Sequence, residues 1–172
     1  MFTVGAAVGS RSPLAPLAIG AVLRVMVYAG GHLSGGHYNP AVTMAALVVR
    51  TLVDPAQVAK TTTLTLTGPG MPAAFVVELL FTYALCYVVL NVATSRHHPD
   101  ISFYGLAIGF TVVAGASAVG AISGGAFNPA VSVGAAVMGI FAWPTLWMYL
   151  VGQVIAGAAA GATFLALNSD DR

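Results

Sequence analysis

The phrase SGGHYNPAVT at residues 34–43 returns as SGGAFNPAVS at residues 123–132. Aligning 33–48 with 122–137 gives nine identities in sixteen, with Leu/Ile, Tyr/Phe and Thr/Ser as further matches. Each copy sets two glycines and an aromatic residue ahead of Asn-Pro-Ala-Val. Asparagine is a favoured N-cap, and proline fits the first helical turn, where its missing N–H costs nothing. Asn39-Pro40-Ala41 and Asn128-Pro129-Ala130 therefore each read as a helix start, and the paired glycines permit a tight bend before it. Any fold for this chain has to use one short helix-starting unit twice.

The solvent for that fold is lipid. The chain is 58% hydrophobic and 6% charged, with mean hydropathy +0.90, against about 25% charged residues in a soluble domain. Four stretches reach the roughly 20 apolar residues that a spanning helix needs: 14–32, 73–94, 103–122 and 144–167. The apolar stretches that follow the repeated phrases, about 40–50 and 129–141, are too short to span and read as re-entrant half-helices. Gly105 with Gly109 and Gly157 with Gly161 have the spacing that lets helices approach closely in lipid. Residues 52–71 hold Asp54, Lys60, two prolines and a run of threonines, and read as a loop. The basic loop 95–101 is placed on the cytoplasmic side. Its adjacent histidines, His97 and His98, read as solvated side chains, and no metal or other cofactor is implied. Cys86 sits in an apolar run and reads as a packing residue. A net charge of +1 gives no reason to expect nucleic acid as a partner.

A helix N-terminus carries partial positive charge. Two half-helices entering from opposite faces would bring two such ends together at mid-membrane, with Asn39 and Asn128 offering N–H donors. Such a site hydrogen-bonds a neutral polar molecule and repels cations. That gives a physical reason for using the unit twice.

GGHLSGGHYNPAVT and GAISGGAFNPAVS resemble the two signature loops of the aquaporin, or major intrinsic protein, family. The resemblance covers nearly the whole chain. It implies an all-α membrane protein: an aquaporin-like helical bundle with two re-entrant half-helices, here with about four full spans. It implies one transmembrane domain over 1–172, with 1–51 as a remnant of the first repeat, 52–71 as a loop, 72–167 as the second repeat and 168–172 as a tail. Glu78 matches the family's buried glutamate that braces a pore loop. His32 and His37 match positions that orient the first half-helix and line its mouth. Counting from the motif asparagines places the family's selectivity ring at Ile19, Ala116, Gly125 and Val131, with Ser117 as an alternative to Ala116. Strict water channels have arginine where Val131 stands, so the implied ring is wide and apolar. It suits water and small neutral solutes such as glycerol, urea, ammonia or hydrogen peroxide. A homotetramer in the plasma membrane is also implied.

The pattern departs from the family in three places. Most of the first helix and all of the third are unmatched. Residues 52–71 then either stay on the cytoplasmic side, which would bring both motifs in from the same face, or cross the membrane, which would keep them opposed. Arg24, central in 14–32, either faces the pore as a donor or positive barrier, or faces the gap left by the missing helices and pairs with a carboxylate or snorkels, or marks an altered copy. A passive channel is the leading function, and a non-conducting channel fragment or structural subunit is the alternative. An enzyme is disfavoured, because the five acidic residues form no paired site. An ion channel is disfavoured because no charged ring lines a span.

Overall fold

The repeated unit builds the element around which the others pack. The structure, a computed structural model, describes residues 12–34, 64–93, 95–97 and 102–168. The expectations for His37, Asn39, Pro40 and Ala41 lie outside these residues, as do those for the side chain of His32. The described helices are α1 (Ala15–Ser34), α2 (Gly70–Ala93), α3 (Tyr104–Ser123), α4 (Pro129–Val137) and α5 (Leu146–Leu167), with a 3₁₀ turn at Trp143–Thr145. Among the described residues, the β content is one isolated parallel bridge, Leu64 with Phe141.

Among the described residues, three helical segments are long and apolar enough to cross a membrane: Gly70–Ala93, Tyr104–Ser123 and Trp143–Leu167. The apolar part of α1, Ala15–Ala29, is shorter. The protein is therefore an integral membrane protein. α4 is the half-helix the sequence predicts: nine residues, about 13 Å, against a hydrocarbon layer of about 30 Å. One boundary shifts. The loop expected over 52–71 gives way to helix at Gly70, because prolines are tolerated around a first turn whose N–H groups lack helical partners. Pro69 and Pro72 flank that turn, and Gly70 N–H and Met71 N–H reach back to the Thr67 and Gly68 carbonyls.

The contacts fix the relative directions of the four long helices described, α1, α2, α3 and α5. α1 and α3 run antiparallel. A Cβ on Gly20 would collide with Val113 and stand 2.7 Å from the Gly109 carbonyl oxygen, whereas Tyr28 lies over Gly105 and Tyr104. The Tyr28 hydroxyl donates to the Ser102 carbonyl at 3.0 Å. The Gly105/Gly109 pair is thus the close approach expected of it, while Gly161 faces open space. α2 and α3 are also antiparallel, with Glu78 bonded to Ser123 and Phe81 against Gly115. α2 and α5 run parallel, with Phe75 at Gly152, Glu78 at Gln153 and Cys86 at Gly157.

One end of the bundle therefore gathers the starts of α1, α2 and α5 with the end of α3. The other gathers Ser34, Ala93, Leu167 and the start of α3. Leu64 belongs to the first end, since its N–H donates to the Ile140 carbonyl at 2.7 Å. The described residues on either side of 35–63 thus lie at opposite ends of the bundle. Exposed aromatics mark both ends: Trp143 and Trp147 at the first, Phe103 at the second. Aromatic rings concentrate at membrane interfaces. Large exposed apolar side chains between them, among them Leu80, Phe110 and Val154, face lipid.

In a Cys86→Ala background, single cysteines placed at Phe103 and at Trp143 should react with a membrane-impermeant thiol reagent from opposite sides of oriented vesicles. Labelling of both from one side would refute the helix directions given above.

Candidate functional site

Glu78 has no exposed surface, and it lies in an apolar helix. A carboxylate at that depth persists only if its oxygens are fully hydrogen-bonded. Four donors supply this. Oε1 accepts from Ser123 Oγ at 2.7 Å and Ala126 N–H at 3.0 Å. Oε2 accepts from Phe127 N–H at 2.8 Å and Gln153 Nε2 at 2.8 Å. Two of these are backbone groups of the loop that precedes α4, so the carboxylate acts as the floor of the second motif.

That loop needs a floor. Gly124 and Gly125 take positive φ, 85° and 65°, and Gly124 also ends α3 as its left-handed cap. Phe127 takes φ 49°, a left-handed backbone that costs a non-glycine residue on the order of 1–3 kcal/mol. Its amide is held by Glu78, and its ring lies 5.5 Å from that of Phe81 over Gly115, where a Cβ would stand 2.7 Å from the Phe127 ring. The strain is held from both sides of the residue.

Asn128 then caps α4. Its backbone is extended, and its Oδ1 accepts from Ala130 N–H at 2.9 Å. With the oxygen so engaged, the amide N–H₂ has no partner among the described residues and is free to donate. Gln153 lies seven residues into α5, about 10 Å, and Asn128 is about one turn of α4, 5 Å, deeper. The motif therefore sits near mid-membrane. Pro129 occupies the first helical position and Ala130 is buried.

The structure brings together part of the expected ring. A Cβ on Gly125 would lie 3.3 Å from the Ala116 Cα, so these two positions touch, and the alternative Ser117 is exposed. Ile19 and Val131 are half-buried on α1 and α4, and Val131 packs against an apolar cluster that includes Ala126, Ala135, Phe141 and Tyr149. Arg24 is exposed on α1, its guanidinium 5.8 Å from the Tyr28 ring centre, in an outward groove with Ala21, Val25 and Ala29.

Sequence reasoning missed Gln153, Tyr149 and Ser132. The Tyr149 hydroxyl donates to the Ser123 carbonyl at 2.6 Å, and its ring stacks 4.5 Å from Phe141. Gln153 bonds both Glu78 and Ser132. The signal was available, since an amide inside an apolar span needs a partner.

A half-helix capped by Asn-Pro-Ala and floored by a buried glutamate matches one sequence family along the chain. The profile described as Major intrinsic protein covers residues 4–68 and 51–164. The chain belongs to the major intrinsic protein family. It is 36% identical over 167 residues to aquaporin NIP1-1 of Oryza sativa subsp. japonica, covering 83% of this chain and 58% of that protein. It is 36% identical over 168 residues to nodulin-26 of Glycine max, covering 83% and 60%. It is 32% identical over 178 residues to putative aquaporin NIP4-1 of Arabidopsis thaliana, covering 89% and 62%. The chain thus spans about three fifths of the length of these relatives.

Within this family member, Glu78→Ala should be more damaging than Glu78→Gln. Alanine strands four donors in an apolar interior, at about 1–3 kcal/mol each where they find no other partner, while glutamine keeps one acceptor in place. Thermal denaturation in detergent should show a midpoint lowered by roughly 6 °C or more for alanine, at about 2–4 °C per kcal/mol. Equal midpoints for Glu78→Ala and the unaltered protein would mean that the carboxylate holds nothing.

Proposed function

We propose that the protein is a passive membrane channel for water and small neutral solutes. The observation that carries this reading is the Asn128 amide N–H₂, without a partner among the described residues, at the N-terminus of α4. A single-file solute loses water there, and the amide N–H₂ and the helix dipole offer it a donor and a positive field. In this reading Asn39, Pro40 and Ala41 form the opposed half of the constriction, and Asn128, Pro129 and Ala130 the half on α4. His32 and His37 hold the first loop, as Glu78 holds the second. The relatives' names include aquaporins, which supports the same substrate class.

The selectivity ring of this reading is Ile19, Ala116, Gly125 and Val131. Its side chains are small or aliphatic and carry no charge, so it admits solutes wider than water, of the size of glycerol or urea. The domain division at 1–51, 52–71, 72–167 and 168–172 and a homotetramer in the plasma membrane belong to the same reading.

Stopped-flow light scattering of liposomes holding monodisperse protein tests it. Water and glycerol permeability should both exceed those of empty liposomes. Asn128→Asp should lower water permeability, since an ionised carboxylate only accepts hydrogen bonds and removes the N–H₂ donor from the constriction. Val131→Arg should reduce glycerol flux more than water flux, because it narrows the ring. Permeability equal to that of empty liposomes would leave the chain a non-conducting member of the family.

A further inference from the structure

The Glu78 oxygen that accepts the Phe127 amide also accepts from a residue that the channel reading does not use. Gln153 Nε2 lies 2.8 Å from Glu78 Oε2 and 3.0 Å from Ser132 Oγ, so its two hydrogens serve two acceptors. Ser132 Oγ lies 3.1 Å from the Asn128 main-chain carbonyl oxygen and 3.2 Å from Gln153 Oε1. Gln153 and Ser132 are both buried, at 2% and 0% exposure. One consistent set of hydrogens runs through them: the glutamine amide donates to the carboxylate and to the serine, and the serine hydroxyl donates to the Asn128 carbonyl. The carboxylate in turn accepts the amides of Ala126 and Phe127. The residues on both sides of the Asn128 side chain are thereby tied to one point on α5.

We propose that Gln153 is a positioning residue for Asn128, setting from the last helix the direction in which the asparagine amide points. Three features support this over simple filling of space. The amide sits in an otherwise apolar run, LWMYLVGQVIAG, where an aliphatic side chain would fill the same volume without polar atoms. It bonds a carboxylate, and charge-assisted hydrogen bonds are the stronger ones. It reaches the first turn of α4, where a small rotation of the helix swings the capping residue most directly. Tyr149, one turn earlier on the same face, holds the Ser123 carbonyl at the loop's other end, so α5 grips the motif before and after its bend. Glu78 fixes the height of the loop, and Gln153 fixes the rotation of the half-helix about it.

This inference rests on the channel reading for its effect on flux, so the test has a readout independent of flux. Gln153→Leu, Ser132→Ala and the reciprocal exchange Glu78→Gln/Gln153→Glu are compared with the unaltered full chain. Val154→Leu, on the lipid-facing side, is the control. Hydrogen exchange by mass spectrometry, on monodisperse protein in detergent, reads protection of residues 124–132 against residues 104–123. Gln153→Leu should speed exchange in 124–132 about tenfold, the equivalent of one lost charge-assisted bond, and leave 104–123 unchanged. Ser132→Ala should act in the same direction, and the two together should do no more than Gln153→Leu alone, because they cut one chain of bonds. The reciprocal exchange should restore protection, since it keeps a carboxylate facing an amide.

In liposomes, water permeability should fall with Gln153→Leu and return in the exchanged protein. Unchanged exchange in 124–132 overturns the proposal, whatever the flux. Faster exchange with unchanged flux through a conducting protein also overturns it, because the aim of Asn128 would then not depend on Gln153. If the unaltered protein conducts nothing, the channel reading fails, and the exchange data alone decide whether Gln153 holds the half-helix. Should Gln153→Leu fail to give monodisperse protein, Ser132→Ala and the reciprocal exchange carry the same two comparisons.

Discussion

The structure depends on one buried carboxylate. Glu78 sits in an apolar helix with no basic partner against it among the described residues, so its charge is balanced by hydrogen bonds alone. Those donors come from the end of α3, from the loop behind it and from α5. Removing water from a charged group is costly enough that the group dictates where its donors go. The loop has no freedom to choose another path. Its left-handed glycines, and the strained backbone at Phe127, follow from bringing two successive amides onto one carboxylate. The position of Asn128 follows from the residue before it.

The same constraint explains how irregular backbone survives at membrane depth. Lipid offers no hydrogen bonds, so non-helical segments must find partners in protein. On the way in, Gly124 N–H reaches the Gly120 carbonyl, Gly125 N–H reaches Ser123 Oγ, and the next two amides reach Glu78. On the way out, Ile140 and Phe141 return their N–H groups to the Ala135 carbonyl. Leu64 then closes the account, donating to the Ile140 carbonyl and accepting from Ala142 N–H at 3.3 Å. The short bridge between 64 and 141 is thus a cover for the exit of the half-helix.

Much of this was legible in the chain, for identifiable reasons. The Asn-Pro-Ala phrase encodes its own helix start through capping and proline geometry, which are local. The spans are encoded by length and apolarity, which are also local. Glu78 was identified as a loop brace through family resemblance, and the four bonds give that role its mechanism. Gln153, Tyr149 and Ser132 went unread because their meaning is not local. Gln153 lies 75 residues from the carboxylate it bonds, and nothing in LWMYLVGQVIAG says which neighbour it meets. The start of α2 was placed at 73 and observed at 70, since prolines near a helix start read equally well as loop. The choice between Ala116 and Ser117 turns on a single residue of register, and the contact of Ala116 with Gly125 supports the first.

Val131 shows how the parts of the site constrain one another. A charged residue at that position would need its own partners inside the membrane. Valine needs none, and it packs with the alanines of α4 against Phe141 and Tyr149. The polar capacity of this half of the bundle is then concentrated below the motif, around Glu78, Gln153 and Ser132, rather than beside it. In the proposed channel, a wall built this way discriminates by width and by the reach of the motif asparagines. In the proposed channel the direction of the Asn128 amide bears on what passes, and the proposed role of Gln153 and Ser132 is to hold that direction from behind.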